Sequence, residues 1–291
     1  MHRLGDNLRL LAATDLSPRS DRAIDRAVQL AGAWKAHLTV LHVVSDELPR
    51  SVLRAAIAEA EQILQAQVAT WRQGSVDVEH VVVKGHDYEA IIARAQKEDA
   101  KFVVMGTHRK TLLREHWFGT TVDQVVRHGD RPVLVVRQKP LRTYDKIMVA
   151  VDFSRPSRQA LEFALLLFPG AQFTVLHAYD VPFKAFLTDP RTAKAFARRH
   201  ERDMTLLIEN VVADLKTRFG EVTCEITPVL ERGFATNVVH AQVKELKPDL
   251  VVVGTHGRSG LRQALLGSVA QDLISTLAGD VLAVRARPEA A

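Results

Sequence analysis

Short runs of branched apolar residues alternate, along almost the whole chain, with longer stretches in which apolar positions recur every three or four residues. In the first half "LRLLAAT" (8–14) reads as a strand, and the helix after it has Ser17 as its cap and Pro18 in its first turn. "HLTVLHVV" (37–44) is a second strand and 50–73 a long amphipathic helix. "VDVEHVVV" (76–83), a helix over 87–97, "KFVVMG" (101–106), a helix over 119–128 and "PVLVV" (132–136) follow. The pattern is β-α four times with a closing strand. Continuous runs such as "LVVV" (250–253) predict strands covered on both faces, hence a largely parallel sheet. Right-handed crossovers make that sheet open and doubly wound, and ligands of such sheets sit outside the carboxyl ends of the strands, at the switch point.

The same unit is written twice. "AATDLSPRSDRAIDRAVQLAG" (12–32) returns as "VAVDFSRPSRQALEFALLLFPG" (149–170), "LTVLHVVSD" (38–46) as "FTVLHAYD" (173–180), and "FVVMGTHRK" (102–110) as "LVVVGTHGR" (250–258). The offset grows from 137 at Asp15/Asp152 to 148 at Gly106/Gly254, which places an insertion around 181–204. A period of roughly 140 residues is domain-sized. The expected class is therefore α/β, with two tandem doubly wound open parallel five-stranded sheets: residues 1–139 and 143–291, joined through "QKPLRTYD" (138–145). Within the second unit, 190–219 reads as a long amphipathic helix whose apolar stripe packs on the sheet. "VPFKAFL" before it hints at a lid or an unknown protein partner.

Composition narrows the class further. At 291 residues the chain can bury two cores, and with 47% hydrophobic and 25% charged residues it is globular in type. No apolar run approaches the roughly 18 residues of a membrane helix, and "MHRLGDNLRLLAATD" does not resemble a secretory leader. Cys224 is the single cysteine, which rules out an internal disulfide and suits a reducing compartment, so a cytoplasmic location is expected. The net charge of +5 is spread evenly, with 20 basic and 17 acidic residues before position 141 and 19 and 17 after it. That is a solvated surface rather than a nucleic-acid groove.

The candidate chemistry lies in "VVVGTHGRSGLRQALLGSVAQDLI" (251–274). Gly254 and Gly257 let a loop fold tightly beneath a phosphate chain. Gly267-Ser268 then open a helix whose free N–H groups, positive dipole end and hydroxyl can hold further phosphate oxygens, with Arg258 or Arg262 adding charge. The plainer alternative is that these glycines only permit turns. There is no P-loop, no Gly-x-Gly-x-x-Gly after the first strand, no nucleophile elbow and no pyrophosphatase-type "SGG" loop. His42 and His177 read as packed, hydrogen-bonded strand residues. His80, His86, His116 and His128 have no metal-ligand spacing, so no protein-held metal and no catalytic residue is assigned.

Gly254-x2-Gly257-x9-Gly267-Ser268, with "VAVDFS" upstream and "FTVLH" between, resembles the nucleotide-binding signature of the universal stress protein family, and the likeness covers both halves. The resemblance implies a Rossmann-like, adenine nucleotide alpha hydrolase-like fold and ATP as ligand, with Mg2+ brought by the phosphates. It places Asp152 on the ribose, Ala178 main chain on the adenine and Ala150 beside the base. Gly254, His256, Gly257, Gly267, Ser268 and Val269 fall to ribose and phosphates, with Val253 and Arg258 counted among the cofactor-binding residues. It further implies a cytoplasmic stress-response role, slow hydrolysis at most, and a last strand that pairs between subunits. A tandem chain would satisfy that pairing as an internal pseudo-dimer, with a homodimer as a further step. The rival is a nucleotide-independent interaction scaffold on the same fold.

The first half departs from the signature. Its loop reads "MGTHRKTLLREHWFGTT" (105–121), with Arg109 where the second glycine belongs and Trp117-Phe118 ahead of Gly119-Thr120. Asp15, Val43 and Gly106 remain. The expected outcome is an intact nucleotide loop in the second unit and a degenerate one in the first.

Overall fold

The computed structural model of the protein describes residues 8–18, 20–107, 120–180, 190–255 and 266–285. They fall into two compact units, one ending at Thr143 and the other beginning at Tyr144. Unit 1 runs β1 (Arg9–Thr14), α1 (Asp21–Trp34), β2 (His37–Val44), α2 (Arg50–Gln73), β3 (Val78–Lys84), α3 (Asp87–Lys97), β4 (Phe102–Gly106), α4 (Thr121–His128) and β5 (Val133–Val136). Unit 2 runs β6 (Lys146–Ala150), α5 (Arg155–Leu167), β7 (Gln172–Tyr179), α6 (Pro190–Phe219), β8 (Glu225–Arg232), α7 (Ala235–Leu246), β9 (Leu250–Gly254), α8 (Ser268–Thr276) and β10 (Asp280–Val284).

The strand order is β3-β2-β1-β4-β5 in unit 1 and β8-β7-β6-β9-β10 in unit 2, with parallel pairing throughout each. In both, the chain moves outward from its first strand, then returns to the other side of it. The crevice between β1 and β4, or between β6 and β9, is thus the switch point. Helix faces and strands meet as the periodicity demands. Leu10, Leu11, Ala12 and Leu250 to Val253 are buried, and α1 turns Ala23, Ile24, Ala27, Leu30 and Ala31 onto them from one side of its own sheet, as α5 does with Ala160, Leu161 and Ala164 in unit 2. Each such fully buried leucine or valine contributes about 1.5–3 kcal/mol over an exposed one.

The strand at 37–44 and the helices at 50–73, 87–97 and 190–219 end where the periodicity places them. Helix α6 has 30 residues against 24 in α2, which accounts for half of the insertion in unit 2; residues 181–189 lie outside the described ones. The start of α1 differs from expectation. It begins at Asp21 with Ser20 at the N-cap, because Ser17 closes a separate turn: its carbonyl accepts from Ser20 N at 3.0 Å and from the Ser20 hydroxyl at 2.8 Å. Pro18 follows Ser17 directly, the position a turn favours. In unit 2 proline comes one residue later, and Ser154 caps α5 itself, accepting from Ser157 N at 3.4 Å. Among the described residues no helix is long and apolar enough to cross a membrane.

Candidate functional site

Each unit opens a cleft at its switch point. In unit 2 the cleft holds about 180 Å3 and is lined from β6, β7 and β9 and from the first turns of α5, α7 and α8. Ala150, Asp152, Ala178, Val253, Gly254, Gly267, Ser268 and Val269 all line it, so eight residues separated by up to 119 positions in sequence meet around one space. His256, Gly257 and Arg258 lie outside the described residues, as do Arg262 and, in unit 1, His108, Arg109, His116 and Trp117 to Gly119.

The tip of β6 is set by a short relay. Asp152 Oδ1 accepts from Ser154 N at 3.0 Å, while Asp152 N donates to the Ser157 hydroxyl at 3.2 Å. Phe153, between them, has φ 62°, a left-handed conformation that costs a bulky residue energy and is found where surrounding structure over-determines it. His177 donates from Nδ1 to Val151 O at 2.8 Å, and its ring lies 4.1 Å from that of Phe153. The histidine is buried and holds the strand tip, which is the packing role its sequence position suggested. Its Nε2 is 3.1 Å from Nδ1 of His200 on α6. Unit 1 repeats the device: Leu16 has φ 59°, Asp15 Oδ1 accepts from Ser17 N at 3.0 Å, and His42 Nδ1 donates to Thr14 O at 2.9 Å.

Gly254 has a different reason from the one its loop suggests. A β-carbon there would stand 2.9 Å from Pro156 C and 3.0 Å from Pro156 O and Ser157 N. The glycine is therefore required by the close approach of the α5 backbone, independently of any ligand. Beyond it, Gly267 N donates to Thr255 O at 2.8 Å, which joins the end of β9 to the start of α8. Helix α8 starts with Gly267 at its N-cap and no side-chain cap among the described residues, and Ser268, Val269 and Ala270 of its first turn line the cleft.

Six lining residues escaped the sequence reading: Val151, Ser157, Leu176, Ala235, Val239 and Ala270. Ala235 and Val239 are reached because Gly233, with φ 147°, turns the chain from β8 into α7 while its N–H holds Tyr179 O at 2.9 Å. The signal was available as a repeat, since "KGHDYEAI" (84–91) and "RGFATNVV" (232–239) stand at the same place in the two units. Elsewhere, His80 pairs with Glu61 at 2.9 Å, and His86 and His128 pack against Tyr88. No group of three potential metal ligands occurs among the described residues.

The unit 1 cleft, about 230 Å3, is built from the matching positions: Ala13, Asp15, Val43, Met105, Gly106 and Thr120 among them. The relay at the strand tip and the cleft survive there despite the altered loop sequence.

Fold and clefts together define a duplicated doubly wound α/β protein with one switch-point site in each copy. The chain belongs to the universal stress protein family, whose profile matches residues 7–137 and again 143–285. Similar relatives include a universal stress protein of Mycolicibacterium smegmatis, 24% identical over 299 residues, spanning 96% of this chain and 97% of its own. Universal stress protein E of Escherichia coli is 25% identical over 290 residues, spanning 93% of this chain and 90% of its own. A universal stress protein structure from Archaeoglobus fulgidus shares the fold across 96% of both chains, with a TM-score of 0.72 at 18% identity.

Proposed function

We propose that unit 2 binds an adenine nucleotide, ATP with Mg2+, and that occupancy of this cleft changes how the tandem meets a protein partner in a cytoplasmic stress response. The observation that carries the reading is the α8 N-terminus. It lines the cleft with glycine at its cap, no side-chain cap among the described residues and no acidic residue in its first turn. Such a helix end concentrates partial positive charge and unsatisfied donors, which is what a phosphate chain needs. Across the cleft the Asp152 carboxylate suits the donors of a ribose diol, and Leu176, Val239 and Val253 supply apolar walls for a base. Ala178 lines the same cleft, and its main chain would offer an adenine edge a donor and an acceptor. Mg2+ is held chiefly by the phosphates themselves. No general base stands among the described lining residues apart from Asp152, so hydrolysis is slow at most.

The test is thermal unfolding of the full chain with and without Mg-ATP, beside Ser268→Asp. The exposed Ser268 accepts an aspartate without crowding, and a carboxylate in the first turn of α8 is neutral or slightly favourable for the free protein. It would occupy the place of a phosphate. Wild type should gain about 2.7 kcal/mol at a hundredfold excess over Kd, and the variant should keep its own stability and lose that gain. A variant that ATP still stabilises fully refutes the site. A wild type indifferent to millimolar Mg-ATP leaves the nucleotide-independent scaffold as the better reading.

A further inference from the structure

The helices that begin beside the two clefts differ in a systematic way. In unit 1 the first turns of α1, α3 and α4 carry Asp21, Asp87 with Glu89, and Asp123. The corresponding first turns of α5, α7 and α8 carry no acidic residue. A carboxylate at that place offsets the partial positive charge of the helix end. The ends that attract an anion in unit 2 are compensated in unit 1. Helix α4 goes further: the Thr120 hydroxyl accepts from Asp123 N at 3.2 Å, and the buried Asp123 carboxylate holds Arg127 Nε at 2.7 Å. A donor that α8 offers to the cleft is taken up internally in α4.

The unit 1 cleft is nevertheless open and differently furnished. Apolar walls from Leu41, Val43, Ile91 and Met105 match those of unit 2. Five hydroxyls line it, from Thr14, Ser20, Thr107, Thr120 and Thr121, against two in unit 2, from Ser157 and Ser268. Its carboxylates are two, Asp15 and Asp87; Asp87 occupies the position of Ala235 and accepts from the Thr121 hydroxyl at 3.5 Å. Neither cleft has a lysine or arginine among its described lining residues, so the contrast lies in the carboxylates and hydroxyls. Apolar walls, five hydroxyls and two carboxylates suit a heterocycle carrying a diol, and the second carboxylate opposes a phosphate.

We propose that the unit 1 cleft takes an uncharged nucleoside and discriminates against its phosphorylated forms, so that the tandem holds two sites of opposite charge preference. From the reading of unit 2 this borrows only that the ligand offers a base and a ribose.

Met105 lines the unit 1 cleft and is one of four methionines, so its methyl group reports occupancy of that cleft directly. The experiment is a titration of full-length protein carrying 13C-methyl methionine with adenosine and, separately, with Mg-ATP. Adenosine should shift the Met105 resonance, and Mg-ATP should need a concentration about tenfold higher or more. Asp87→Asn should narrow the gap severalfold, and so should raising the salt to about 1 M, because Asp87 is exposed and its field is screened. A Met105 signal that answers Mg-ATP as readily as adenosine overturns the proposal, as does one that ignores adenosine at millimolar concentration. A silent Met105 in a protein that Mg-ATP stabilises sinks this inference alone. A Met105 shifted by adenosine in a protein that Mg-ATP never stabilises sinks the unit 2 reading instead.

Discussion

The first turns of α4 and α8 occupy the same place in their units, after the fourth strand and against the cleft, yet they are finished in opposite ways. Thr120 and Asp123 close α4 on itself; Gly267 leaves α8 open. The strand tips beside them are alike down to the left-handed residue and the histidine that holds the carbonyl. Duplication has therefore kept the part of the site that shapes the cleft and varied the part that sets its charge. The lesson is that backbone geometry and the charge at the helix starts are carried by different residues, and that the second can change without disturbing the first.

The strongest test of that contrast is Asp123→Ala. The Asp123 side chain is 2% exposed, and its removal takes the closest carboxylate from the largely covered Arg127 side chain. Breaking such a pair costs about 3–5 kcal/mol. Chemical denaturation should show that loss, while Gln271→Ala at the matching position of α8 should cost less than about 1 kcal/mol. Equal losses at the two positions would mean that the internal closure of α4 is not what distinguishes the units.

Gly254→Ala probes the shared part. Its β-carbon would press on Pro156 and Ser157 backbone at 2.9–3.0 Å, and since neither is a flexible side-chain end, the first turn of α5 has to move. Overpacking of this kind costs about 1–3 kcal/mol. Because the Ser157 hydroxyl holds Asp152 N, the same movement displaces Asp152, so stability and Mg-ATP stabilisation should fall together. A variant with wild-type unfolding behaviour would return Gly254 to the role of a loop residue.

Much of this was legible in the chain itself, and the reasons are local. Period-two and period-3.6 patterns are properties of neighbouring residues, so the long helices and the 37–44 strand could be bounded from the sequence. The repeat then gave two copies of one open doubly wound unit, with the ligand crevice outside the carboxyl ends of its strands, while the order of the strands came from the structure. Illegible features depend on distant partners. Gly254 has its reason in Pro156, about a hundred positions earlier; Ala235 and Val239 were missed for a different reason, since the repeat marked the turn at Gly233 but not that it leads into the cleft. Asp21, Asp87 and Asp123 were visible as letters, but their common meaning appears only once the topology gathers three helix starts around one space. The start of α1 was misread because serine followed by proline opens a turn as readily as a helix, and here Ser20 hydrogen bonds settle it as a turn.

The smallest contrast is at the other end of the third helices. Asp99, following α3, and Lys247, the C-cap of α7, both adopt the left-handed conformation, with φ 49° and 50°. A lysine there suits the negative helix end, whereas an aspartate opposes it. Asp99 is instead held by Lys101 Nζ and Arg131 Nη1, each at 2.9 Å; the Lys101 hydrogen bond, the largest effect, together with the Lys101 charge and Arg131, outweighs the opposing effect of burial and keeps the carboxyl below the usual carboxylate value. A folded-state value below the unfolded one means stability that is present above the ordinary carboxylate range and lost as pH falls through the lowered value. The Asp99 side chain is 66% exposed, which limits the contribution to about 0.5 kcal/mol. Asp99→Asn keeps the left-handed backbone, since asparagine tolerates it, and removes only the charge. Melting temperatures of the two proteins should differ slightly at neutral pH and low salt, then converge in acid and at high salt. A gap that widens as the carboxylates are protonated would show that Asp99 acts through something other than these two cations.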